Sequence, residues 1–75
     1  MSVRLVFLGR LADLAGTGER EVAAGSLEAV LGELGSDFTS PRIKLALNGA
    51  VLSQVFGIEL RDGDELAFLP PVSGG

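Results

Sequence analysis

The chain has 75 residues, a formal charge of −4 at pH 7, and neither Cys nor His. That length is one domain. The missing thiols exclude disulfides and thiolate metal sites, and the missing imidazoles exclude Ser-His and Cys-His nucleophile pairs. The acidic balance argues against nucleic acid and against anionic membranes, which call for a basic face.

Tyr and Trp are also absent. Side-chain acid–base chemistry would rest on carboxylates, Lys and Arg alone, so a self-contained hydrolase is not expected. A basic protein surface is the natural partner of such a chain, although a net charge also serves plain solubility. The opening "MSVRLVFLGRL" is too short and too broken by polar residues for a secretion signal. No run reaches the roughly 20 apolar residues of a membrane helix. A cytoplasmic location is the expectation.

Ser2–Gly9 is β-branched and aromatic and predicts a strand. Val3, Leu5 and Phe7 share one face; Arg4, Val6 and Leu8 share the other. Arg10–Gly16 predicts a helical turn closed by Gly16. Thr17–Ala24 alternates weakly and predicts a second, exposed strand in a hairpin with the first. Ser26–Leu34 is the clear helix. Ser26 is an N-cap, Glu28 suits the first turn, and Leu27, Val30, Leu31 and Leu34 form one apolar stripe ending before Gly35. Gly32 weakens that helix by roughly 1 kcal/mol relative to Ala, so the helix leans on packing.

Ser36–Pro41 predicts a loop. Arg42–Asn48 predicts a strand with Ile43, Leu45 and Leu47 on one side and Lys44 and Ala46 on the other. Asn48-Gly49 is a strong hairpin signal and leads into a strand at Ala50–Ser53. Phe56–Leu60 predicts a loop with buried apolar anchors. Asp62-Gly63-Asp64 is turn chemistry before it is a metal or catalytic site. Glu65–Leu69 predicts the last strand, with Leu66 and Phe68 inward. The order β, β, α, β, β, β predicts an α+β fold, a mixed sheet of about five strands with one main helix packed across one face.

The expected domain is residues 1–69, with 70–75 as a protruding C-terminal tail, "PPVSGG". Pro70 and Pro71 fix φ near −65° and cannot continue a ladder. Gly74 and Gly75 have no Cβ and can pass a channel too narrow for side chains. A terminal glycine carboxylate is an unhindered acyl group to present to another protein. Ser73 has no base in the chain to make it a nucleophile.

These residues resemble a family. "DGDELAFLPPVSGG", "FLGRLADLAG" and "LALNG" are similar to segments of the small subunits of molybdopterin synthase, sulfur carriers of the ubiquitin-like β-grasp group. Gly35–Arg42 is shorter than in many members, and "QVFG" at Gln54–Gly57 departs from their pattern. The resemblance implies that Gly75 is adenylated by an E1-like enzyme using ATP. A sulfur donor system then converts it to a thiocarboxylate, which gives sulfur to a pterin precursor in molybdenum cofactor biosynthesis. It implies that Pro70, Pro71, Val72, Ser73 and Gly74 thread the tail into the synthase large subunit, in a 2:2 assembly. The carrier itself binds no cofactor and no metal, and the catalytic side chains belong to its partners.

Docking needs a surface. Val6, Leu8 and Leu69 fall on the face away from the helix, and Val51 joins them if its strand is in register. Such an apolar face marks a partner surface, unless a loop covers it or the residues are scattered aliphatics. Two further readings stay open: a carrier for thiamine or tRNA thiolation or a ubiquitin-like modifier of lysines, and a β-grasp binding module whose tail is incidental.

Overall fold

The computed structural model describes residues 2–71. Its main sheet has five strands: β1 (Val3–Phe7), β2 (Glu19–Val22), β4 (Lys44–Leu47), β5 (Ala50–Val51) and β7 (Glu65–Leu69). Two more, β3 (Gly25–Ser26) and β6 (Glu59–Leu60), pair as a small separate sheet. The helices are α1 (Arg10–Ala15) and α2 (Leu27–Leu34), with a 3-10 turn at Ser36–Phe38. This is the expected β-grasp arrangement, a mixed sheet with one main helix across one face.

The sheet order is β2-β1-β7-β4-β5. β1 pairs in parallel with β7, and the other neighbours in this sheet run antiparallel. The first and last strands therefore lie side by side at the sheet centre. Alternation fixes the register, because a slip by one residue would turn every buried side chain of β1 and β7 to the outer face. Val3, Leu5, Phe7, Leu66 and Phe68 are all buried. They meet Leu27, Val30 and Leu31 of α2, with Leu11, Phe38, Leu45 and Leu60 completing the core.

Three of the four Phe residues form one cluster. The Phe7 and Phe68 rings stack at 5.1 Å, and Phe38 meets them at 5.3 Å and 5.9 Å in tilted and edge-on contacts. Such offset and edge geometries suit the ring quadrupole. Phe68 lies one residue before the end of β7, so the cluster supports the root of the tail.

α2 begins as its sequence dictates: Ser26 Oγ accepts the Ala29 N–H at 3.1 Å. Asn48 and Gly49 both take positive φ, the pattern of a type I′ turn, between paired Leu47 and Ala50. One expectation needs correction in part. Phe56–Leu60 is anchored at Ile58, which packs against the core, and at Leu60, buried in β6, but its Phe56 is 69% exposed. The chain turns at Phe56–Gly57, with Gly57 at φ 71°, and Gln54 Nε2 donates to the Phe56 carbonyl. That places the Phe56 ring outside. The small β3–β6 sheet is also additional to the expected elements.

The two turns at one end of the sheet are tied together. Asp64 Oδ2 accepts the Arg61 N–H at 2.9 Å, and Asp64 Oδ1 accepts from Asn48 Nδ2 at 3.0 Å. Asn48 Oδ1 in turn accepts the Glu65 N–H at 3.0 Å. Asp64 thus works as turn chemistry. The Arg61 backbone bond, then the Asn48 amide, hold its carboxyl below the usual Asp range. A depressed folded pKa gives stability that is complete above the unfolded value, about 3.9, and is lost as pH falls through the folded value. We therefore expect Asp64→Asn to be less stable than wild type at pH 7, with the gap closing below about pH 4. Thermal melts from pH 7 to pH 2 check this; parallel curves for the two proteins would contradict it.

Candidate functional site: the outer sheet face and the root of the tail

The face of the sheet away from α2 is built by the odd partners of the buried residues. Val6 lies opposite Ala67, Ala67 opposite Ala46, and Ala46 opposite Val51. One row thus crosses four strands with only aliphatic side chains, two of them alanines, so its middle is shallow. Val51 is 63% exposed, whereas Val6 is half-buried. Beyond this row, Lys44 lies opposite Leu69. The Leu8 N–H donates to the Phe68 carbonyl at 3.1 Å, which extends the parallel ladder and sets Leu8, 40% exposed, beside half-buried Leu69.

The expected docking residues Val6, Leu8, Val51 and Leu69 therefore come together on one face. Ala46 and Ala67 complete it. The alternation of β4 and β7 already placed these alanines outward, but an Ala between larger residues carries little signal as a contact. Within the row Ala46 is buried and Val6 and Ala67 are half-buried, while Val51 stands exposed at one end and Leu8 is exposed beside Leu69. An apolar face across a small sheet is the kind of surface that marks a protein partner.

The opposite end of the same face is charged. Arg4 lies between Glu21 and Glu65 in register. Its Nη1 is 3.5 Å from Glu65 and its Nε is 3.9 Å from Glu19. These side chains are about half exposed or more, and such pairs contribute little to stability.

The ladder of β7 ends at Leu69, and the tail begins at Pro70. Gly9, at φ 57°, lets the Pro70 ring come close: a Cβ there would lie 3.1 Å from Pro70 Cγ. Pro70 and Pro71 are half-buried. The other expected tail residues, Val72, Ser73, Gly74 and Gly75, lie outside the described residues. Among the described residues there is no group of three Asp or Glu side chains placed to hold a metal ion. None of the described helices is long and apolar enough to cross a membrane.

Fold and site together define a β-grasp protein that presents an apolar sheet face next to its C-terminal tail. The sequence pattern of the ThiS family matches residues 5–75, and the chain belongs to that family. It is 38% identical, over 97% of its length and 99% of the relative's, to the molybdopterin synthase sulfur carrier subunit of Escherichia coli strain K12. Among solved structures it resembles small archaeal modifier protein 1 of Methanosarcina acetivorans, with TM-score 0.76 and 28% identity over 99% of this chain and 96% of that one. It also resembles a chain in the complex of subunits 1 and 2 of molybdopterin-converting factor from Helicobacter pylori 26695. That match has TM-score 0.69 and 28% identity, with both chains covered in full.

Because Val51 stands 63% exposed on this face, its replacement costs the fold little. Val51→Asp should change the unfolding free energy by no more than about 0.5 kcal/mol, as read by urea denaturation. A loss of several times that size would mean that the face is covered in the folded chain.

Proposed function

We propose that this chain is the sulfur carrier subunit of a molybdopterin synthase. The observation that carries the reading is the apolar row Val6–Ala67–Ala46–Val51, which runs on through Leu8 and Leu69 to the root of the tail. A docked partner would then receive the tail at the edge of its own contact surface. Family membership and the likeness to the Escherichia coli carrier support it.

In this reading residues 1–69 are the folded domain and 70–75 the working tail. Gly75 is the reacting residue. Its carboxylate is a poor acyl donor, so a separate adenylating enzyme of the E1-like type joins it to the α-phosphate of ATP and releases pyrophosphate. A sulfide-level nucleophile from a sulfur donor system then displaces AMP and leaves a thiocarboxylate. The tail, Pro70 to Gly74, threads into the large subunit, where the sulfur passes to a pterin precursor. Val6, Leu8, Val51 and Leu69 hold the large subunit. The related Helicobacter pylori complex of subunits 1 and 2 supports a partner of that kind. A 2:2 assembly and a cytoplasmic location complete the proposal. The chain needs no catalytic His or Cys of its own, because adenylation, sulfuration and transfer use groups on the partners.

A second reading has one observation in its favour. The likeness to small archaeal modifier protein 1 supports a tail whose activated acyl group is joined to lysine amines of other proteins. The two readings share the adenylate and differ in what displaces AMP.

Mass analysis of the C-terminal fragment tests this after incubation with the adenylating enzyme, ATP and the sulfur donor. The expected result is one sulfur-for-oxygen exchange on Gly75. An unmodified Gly75, with the same enzymes active on another carrier, would overturn the proposal. Localisation to the fragment is required, because oxidation of Met1 gives nearly the same intact mass.

A further inference from the structure

Lys44 is the sole lysine of the chain. It is exposed, lies on the outer face, and stands directly opposite Leu69, the last ladder residue before the tail. The ion pairs among the described residues both belong to Arg4, at the other end of the face. Lys44 has no ion-pair partner among them. The docking face thus carries a cation opposite the residue from which the tail leaves, with the exposed Arg42 shortly before it in the chain and the exposed Arg10 shortly after Leu8. At its far end Arg4 stands between Glu21 and Glu65, and Glu19 lies beside Val6 at the β2 edge of the row.

The two ends act separately. Glu65 and Leu69 are four residues apart on β7, about 13 Å along a strand. That exceeds the Debye length of about 8 Å at physiological salt. Between them lie the aliphatic side chains of the row. A partner seated on that row and on Leu69 must cover the Lys44 stem and strip water from its ammonium. Removing water from a charge is costly unless an opposite charge takes its place.

We propose that Lys44 is the charged anchor of the docking face, and that the large subunit presents a carboxylate to it at the mouth of the channel that receives the tail. The inference rests on the carrier reading given above. The acidic far end disfavours that same carboxylate, so the two ends together fix which way round the partner sits. A partner turned end for end would bring its carboxylate against Glu21 and Glu65. Lys44 is a positioning residue: it touches no reacting atom and acts by aligning the face from which the tail departs.

The test measures association of the purified large subunit with this carrier at 50 and 500 mM salt, for wild type, Lys44→Arg, Lys44→Met and Lys44→Glu. All four are expected to melt alike, because Lys44 is exposed. At low salt, Lys44→Glu should associate about tenfold more slowly than wild type, with Lys44→Met between them and Lys44→Arg near wild type. At high salt the differences should shrink, as for any screened charge. A wild-type complex that forms equally well with Lys44→Glu would overturn the inference and leave the carrier reading standing. Equal losses at both salts for Lys44→Met, which keeps an apolar stem, would also overturn it, since they would report a contact that salt does not screen rather than the steering charge. A wild-type carrier that forms no complex with an otherwise active large subunit would remove the carrier reading, and this inference with it.

Discussion

The parallel pairing of β1 with β7 is the constraint on which the rest of this structure depends. It joins the two ends of the chain and puts the last strand at the centre of the sheet instead of at an edge. Everything done by the C-terminus then starts from the most supported place in the fold. Leu66 and Phe68 are fully buried beneath it, and the Phe7–Phe38–Phe68 cluster lies directly under its end. Parallel strands need a crossover, and here the crossover is most of the protein. The hairpin to β2, helix α2, the β4–β5 hairpin and the small β3–β6 sheet all lie between the two central strands.

That placement also makes the outer face. A central strand has a neighbour on each side, so the outward residues of β1, β7 and β4 line up in rows. The alternation that buries Val3, Leu5 and Phe7 leaves Arg4 and Val6 outside; that which buries Leu66 and Phe68 leaves Glu65, Ala67 and Leu69. One sheet therefore carries three zones along its outer face: charged at the turn end, aliphatic in the middle, and Leu8, Leu69 and Lys44 at the tail end. The Asp64–Asn48 link stands at the turn end and holds the neighbouring turns in step. In the proposed function the far ends of the molecule have different tasks, one to keep the register and the other to deliver the tail.

Much of this was legible in the sequence, for physical reasons that can be named. The strands β1 and β7 alternate clearly because one of their faces is fully buried. Helix α2 announces itself through Ser26 and its apolar stripe, and Asn48-Gly49 fixes its own turn through backbone geometry. The outer face was legible as an anomaly: Val6, Leu8 and Leu69 stand where a solvated face would be polar. Other features were not legible. The β3–β6 pair has two residues per strand, too few to show a period, and it forms only because the segment leading into α2 is brought beside the segment leading into the Asp62–Asp64 turn. Phe56 reads as a core aromatic, and its exposure depends on a turn at Gly57 that composition does not dictate. The placement of Lys44 against Leu69 depends on pairing between segments some 25 residues apart, which strand alternation alone cannot supply.

The central claim is that the carboxyl end of this chain carries sulfur on an unhindered acyl group and that the sheet face delivers it. The most direct measurement is a single turnover. The carrier is prepared with a C-terminal thiocarboxylate, mixed with the large subunit and the pterin precursor, and followed by mass. The account predicts that the thiocarboxylate returns to carboxylate in step with dithiolene formation. A thiocarboxylate left intact, beside a large subunit active with another carrier, would contradict it.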